Sequence, residues 1–167
     1  VRDMLMGRVP HDYDVCTDAL PEQTQNAFHD RITIDTGIKH GTVTVISDGH
    51  PVEITTFRTE SGYSDGRHPD SVSFTASLEG DLSRRDFTVN AMAYSGKTGL
   101  IDISGGSDDL ENRIIRCVGD PEKRFSEDHL RILRAIRFSA VLGYNIEERT
   151  SAAVMKLKDS LVTVSPE

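Results

Sequence analysis

The spacing of apolar side chains changes several times along the chain, and each change predicts an element. Val1 to Met6 places apolar residues at 1, 4, 5 and 6, which suits a short helix that Gly7 would stop. His11-Asp12-Tyr13-Asp14-Val15 predicts a strand. Pro21 to His29 predicts a helix with proline in its first turn, and because Leu20 is a poor cap the helix depends on packing through Ala27 and Phe28. Gly41 to Ser47 and Pro51 to Phe57 alternate with period two on either side of Asp48-Gly49, which predicts a β-hairpin. Its second strand sends Val52, Ile54 and Thr56 to one face and Glu53, Thr55 and Phe57 to the other.

Thr59 to Pro69 has no period and predicts a loop, and Asp70 to Ser77 returns to alternation. Ser83-Arg84-Arg85-Asp86 has the spacing of a capping box, predicting a helix whose apolar side is Phe87, Ala91 and Tyr94. Short strands at Gly99 to Ile103 and Ile114 to Val118 flank a helical turn at Ser107 to Asn112. Gly119-Asp120-Pro121 breaks the pattern, and beyond it the periodicity is helical only. Ser126 is placed to cap a helix running to about Leu142, with Leu130, Leu133, Ile136 and Ala140 as its buried stripe. A last amphipathic helix runs from about Glu147 to Leu161.

With 167 residues, 37% of them hydrophobic and 28% charged, the chain is long enough for one core with a second small lobe. No apolar run reaches the length of a membrane span, and the N-terminus has no signal pattern. Cys16 and Cys117 have no metal-ligand or disulfide-framework spacing, which fits a reducing compartment and a cytoplasmic protein. A net charge of −8 argues against a general basic surface for nucleic acid. The chain opens without Met and inside an element, so an upstream segment is expected.

Four groups of residues invite chemistry. Asp12 and Asp14, two apart on a strand, would face the same side, where their repulsion costs on the order of 3 kcal/mol at an effective dielectric near 20. They are either a solvated strand end or a pair that wants a cation. Glu53, mid-strand, is likewise either solvated or held for a purpose. Asp86 is a helix cap, or else shares a polar face with Asn90, Arg84 and Arg85 that suits a phosphate and a ribose hydroxyl. Asp128 and Arg131 form either a surface ion pair or the acceptor and donor needed to meet a base edge, with Arg134 and Arg137 extending a basic line toward phosphate.

Taken together, VRDMLMGRVPHDYD, GIKHGTVTV, PVEITTFR, DGRHPDSVSF, RRDFTVNAMAY, IDISGG and GDPEKRFSEDHLRILRAIRF closely resemble, in order and spacing, the class II tRNA nucleotidyltransferase and bacterial poly(A) polymerase family. The resemblance covers essentially the whole chain. It implies an α/β (α+β) fold, with a polymerase-β-like nucleotidyltransferase head containing a mixed sheet over 1–119. The beginning of an all-helical neck follows over 120–167, body and tail being absent. It implies that Asp12, Asp14 and Glu53 bind two Mg²⁺ ions. Arg84, Arg85, Asp86 and Asn90 would handle ribose and phosphates, and Asp128 and Arg131 would pair with the edge of CTP or ATP beside Arg134. Arg2 matches a position after the family's Gly-Gly phosphate loop, which this sequence lacks. Within the family, GIKHGTVTV is of the CCA-adding type, and Arg67 is the candidate lever for switching from C to A addition.

The implied activity is template-independent addition of CMP and AMP, from CTP and ATP, to the 3′ end of tRNA. The alternatives are a poly(A) polymerase, an enzyme that adds only A, and a catalytically silent nucleotide-binding module. The basic RNA-gripping portion is expected outside these residues, so the 167-residue chain alone is expected to transfer nucleotides poorly or not at all.

Overall fold

The computed structural model describes residues 1–35 and 37–163. The helix expected at the start is one turn, α1 (Arg2–Leu5), closed by Met6 and by Gly7 at φ 69°. Strand β1 (Asp14–Thr17) begins at Asp14, so Asp12 lies in the irregular approach rather than on the strand. Helix α2 (Pro21–Ala27) buries Pro21 and Thr24; of the two residues expected to pack it, Phe28 lies against the sheet core while Ala27 is exposed. The weak cap at Leu20 is relieved by Gln23, whose Oε1 accepts the Leu20 N–H at 2.8 Å.

After β2 (Thr33–Ile34) comes the predicted hairpin, β3 (Thr42–Ser47) and β4 (His50–Thr56), paired from Thr42 opposite Thr55 to Ser47 opposite His50. Asp48 and Gly49 take φ of 50° and 82°, the left-handed pair that a two-residue turn requires. β1 adds in parallel to the other edge of β4, and β2 adds antiparallel to β3, giving a mixed sheet in the order β1-β4-β3-β2. Val43, Val45 and Ile54 are buried on one face with Phe28 and Val52 packed on them, while Glu53 stays exposed on the other.

The stretch expected as a loop from Thr59 is partly a second hairpin, β5 (Arg58–Ser61) with β6 (Ser71–Phe74), leaving only residues 62–70 as its loop. Helix α3 (Leu78–Ser83) follows, then a 3₁₀ turn at Thr88–Asn90 and the hairpin β7 (Met92–Ser95) and β8 (Gly99–Asp102). Tyr94, expected on an apolar helix side, is instead a strand residue 62% exposed.

Helix α4 (Gly106–Glu111) and the short β9 (Ile114–Ile115) lead to α5 (Pro121–Glu127), α6 (Leu130–Leu142), β10 (Asn145–Ile146) and α7 (Glu148–Leu157). The single helix expected from Ser126 is thus two. Asp120 caps the first, accepting from the N–H groups of Glu122 and Lys123, and proline at the first helical position supports that start. The expected stripe on α6 is also corrected. Arg131, Ile132 and Ala135 are buried, whereas Leu133 and Ile136 are 44% and 49% exposed. α6 carries apolar residues on two sides, and the core takes the side with the smaller Ala135.

Phe87, Val89, Leu110, Ile115 and Cys117 form one core with Phe125, Ile132, Ala135, Tyr144 and Ala153. β9 pairs in parallel with β10 across the same region. Among the described residues, no helix is long and apolar enough to cross a membrane.

Candidate active site

β1 and β4 place Asp14 directly opposite Glu53. In a parallel pair such partners point to the same face, with strands about 4.8 Å apart. Extending that register by two residues would set Asp12 against Pro51, whose nitrogen has no proton to donate, and the ladder ends before it. Asp12, Asp14 and Glu53 are all exposed and make no hydrogen bond or ion pair among the described residues. Hard carboxylate oxygens left unpartnered fit a divalent cation such as Mg²⁺ in chemistry. They are not gathered into a finished cluster: among the described residues, no three His, Cys, Asp or Glu side chains are arranged to hold a metal ion.

Positive charge stands beside this strand. Cys16, on the same face as Asp14, has its thiol pushed up by burial, with Arg85 opposing the shift and Asp81 and Asp14 adding to it. Arg85 thus lies within electrostatic reach of the Asp14 strand. Its Nη2 donates to Asp81 at 3.1 Å, while its Nε is buried with no partner among the described residues. An unmet buried donor of this kind suits an anionic ligand.

Arg84, Arg85, Asp86 and Asn90 do not share a helix. α3 ends at Ser83, whose hydroxyl donates back to the Glu79 carbonyl, and its true N-cap is Ser77, which accepts from the Gly80 N–H. Arg84 is committed inside the protein: it donates to Asp81 at 2.8 Å, to Glu60 at 2.9 Å and to the Arg58 carbonyl at 3.1 Å. Burial works against the charged forms of Asp81 and Glu60. Arg84, helped by Arg85 at Asp81 and by Arg58 and Tyr63 at Glu60, overcomes it, so both carboxyls lie below their ordinary range. Tyr63, half-buried and donating to Glu60, is pushed up to about 12.

Asp86 and Asn90 do meet, through the turn rather than along a helix face, with Asn90 Nδ2 donating to Asp86 at 3.3 Å. Asp86 is 7% exposed and also accepts from the Phe87 N–H at 2.8 Å and from Arg134 Nε and Nη2 at 2.7 and 2.6 Å. Asn90 Oδ1 accepts from Arg2 at 2.7 Å, which ties the first helix to this group.

Asp128 occupies the break between α5 and α6, with extended φ and ψ of −140° and 102°. Its Oδ1 accepts the Leu130 N–H at 3.0 Å, and its Oδ2 lies 3.8 Å from Arg131 Nε. Burial pushes the Asp128 carboxyl up against the pull of Arg131. Arg131 is 7% exposed and donates to Glu127 and to the carbonyls of Arg124 and Arg84. The residue 62–70 loop rests on this break: the Gly66 carbonyl accepts the His129 N–H at 2.8 Å, and Arg67 is among the charges acting on Asp128.

Sequence reasoning missed Glu60, Asp81, Glu127 and Phe138, which hold the arginines in place. The spacings of Asp81 to Arg84 and Arg85, and of Glu127 to Arg131, were visible as helical i,i+3 and i,i+4 pairs. Nothing local pointed to Glu60, which meets Arg84 from 24 residues away.

The described residues form an α/β head in which Asp14 and Glu53 lie side by side on adjacent parallel strands. The crystal structure of Bacillus stearothermophilus CCA-adding enzyme in complex with CTP matches 98% of the chain with a TM-score of 0.88 and 46% identity, over 39% of its own length. A tRNA nucleotidyltransferase complexed with a primer tRNA and an incoming ATP analog matches 99% of the chain, with TM-score 0.78 and 30% identity, over 46% of its length. The family model described as the Poly A polymerase head domain covers residues 1–116, and the chain belongs to that family. Over its full length the chain is 52% identical to the CCA-adding enzyme of Lactobacillus helveticus (strain DPC 4571) and 50% identical to that of Streptococcus gordonii (strain Challis). It spans 41% of the length of each of these curated relatives.

Proposed function

We propose that the protein containing this chain adds CMP and AMP, taken from CTP and ATP, to the 3′ end of tRNA, as the names of its relatives suggest for them. The observation that carries the reading is the in-register pair Asp14 and Glu53, exposed and unpartnered, on a strand whose Cys16 feels the charge of Arg85, an arginine with a buried unmet donor. In the reaction a tRNA 3′-hydroxyl oxygen bonds to the α-phosphorus of the nucleotide, the bond from that phosphorus to the bridging oxygen breaks, and pyrophosphate leaves.

Asp12, Asp14 and Glu53 would hold Mg²⁺ ions, which when bound acidify the attacking hydroxyl and neutralise the leaving pyrophosphate. Arg85 faces the phosphates, and Arg84 acts through Asp81 and Glu60 to fix the turn that presents it. Asp86 and Asn90 have their polar atoms engaged by Arg134 and Arg2, so their contribution to ribose and phosphate binding runs largely through those arginines. Asp128 and Arg131 present acceptor and donor to the base edge, and the docked loop bearing Arg67 sets their position. Residues 1–119 would thus carry the metal-binding carboxylates with Arg2 and Arg85, and the part from residue 120 the base-reading break and Arg134.

The test is single-nucleotide extension by the full-length protein on tRNA lacking its CCA end. The reading expects CTP to extend by two residues and ATP to follow by one. A long A tail would mark a poly(A) polymerase, and extension only of tRNA already ending in CC would mark an A-adding enzyme. D14A and E53A should each lower the rate by at least about a thousandfold while leaving the melting temperature nearly unchanged, since exposed unpartnered side chains contribute little to stability. Retained transfer in D14A would sink the carboxylate mechanism.

A further inference from the structure

We infer that Phe138 is a positioning residue whose ring is the common platform aiming Arg2 and Arg134 at the phosphates of a bound nucleotide, an inference that rests on the nucleotidyltransferase reading above. The guanidinium carbons of Arg2, Arg134 and Arg137 lie over this one ring, 5.4, 5.3 and 5.1 Å from its centroid. Three cations gathered so closely repel one another. The carboxylates bonded to them are Asp3 on Arg2 and Asp86 on Arg134, while Arg137 makes no ion pair among the described residues. The group therefore keeps an excess positive charge that the electron-rich ring face helps to tolerate and that an anion would complete.

Phe138 is itself held still. It packs edge-to-face on the fully buried Phe87, with centroids 5.8 Å apart and planes at 77°. The Phe87 N–H donates to Asp86, and Asp86 accepts from Arg134, which lies over Phe138. The contacts form a closed circuit from core to arginine and back. Arg2 joins it from the other end of the chain, through Asn90 and through the same ring. Without the ring, each long side chain would keep its polar contacts but regain rotamer freedom, and charge placement at a phosphate is sensitive to such looseness.

The experiment compares F138L, which keeps bulk without a π face, with F138Y, which keeps the face, in the full-length protein on tRNA lacking its CCA end. F138L should raise KM for CTP and ATP about five- to thirtyfold, the effect of weakening two cation–π contacts, with kcat within about threefold. F138Y should stay within about twofold of wild type. A lowered melting temperature in F138L with unchanged KM would make Phe138 a packing residue only and overturn the inference. Should F138L fail to fold, the side-chain Hε resonances of Arg2 and Arg134 in the wild-type protein decide. Both should be shifted by the ring current, and unshifted resonances overturn the platform. Wild-type protein that uses neither CTP nor ATP would instead bring down the functional reading, with the ring-current shifts intact.

Discussion

Asp81 is 1% exposed and accepts from two arginine side chains and a backbone N–H, so its carboxylate is the centre on which Arg84 and Arg85 are fixed. Breaking a buried pair leaves the partner charges uncompensated, and D81A should cost roughly 3 to 5 kcal/mol in urea unfolding. The acid side of the stability profile should report the same cluster. Asp81 and Glu60 are held below ordinary values of 3.8 and 4.5, so the unfolded chain takes up protons more readily than the folded one. Their contribution is present above those values and drains as pH falls through and below them. Melting temperatures recorded from pH 7 to pH 3 should therefore fall steeply at the acid end, and E60Q should flatten that fall. The carboxylates of the candidate site stand out as single residues because D-x-D and a mid-strand Glu are conspicuous. Their supports do not, because Glu60 reaches Arg84 only through the fold.

At the scale of elements, the hairpin turned by Asp48 and Gly49 was legible because two strands of alternating side chains flank a dipeptide suited to φ above zero. The helix pair α5 and α6 was not, since Ser126 imitates a cap and no proline or glycine marks the break at Asp128. The break has a local support, the Leu130 N–H donating to the Asp128 carboxylate, and a tertiary one, the residue 62–70 loop that lies against it through Gly66. A side chain at Gly66 would bring its Cβ within 2.5 Å of the His129 ring, and the backbone there has φ of +67°. G66A should therefore lift the loop off the break at a stability cost of about 1 kcal/mol or more. Faster amide exchange at His129, measured by NMR, would reveal the loss of its bond to the Gly66 carbonyl. Unchanged protection of that amide would show that the loop holds without this contact.

For the whole molecule, the boundary that the Gly119-Asp120-Pro121 break suggests is crossed by the main core, where Phe87, Leu110 and Cys117 cluster with Phe125, Ile132 and Ala153. A chain ending at Gly119 would expose half of that cluster and leave β9 without β10. It should lose near-ultraviolet circular dichroism and bind a hydrophobic dye, in contrast to the 167-residue chain; a cooperative melt for residues 1–119 would refute this. The turn at Asp48-Gly49 has a consequence at the same scale. Side chains on a strand alternate, so the turn works as a ruler that decides which face Glu53 occupies. One residue inserted there could leave β4 unchanged in sequence yet turn Glu53 toward the packed side, away from Asp14. A lineage free to vary its loops elsewhere would find this two-residue turn intolerant of a one-residue change in length.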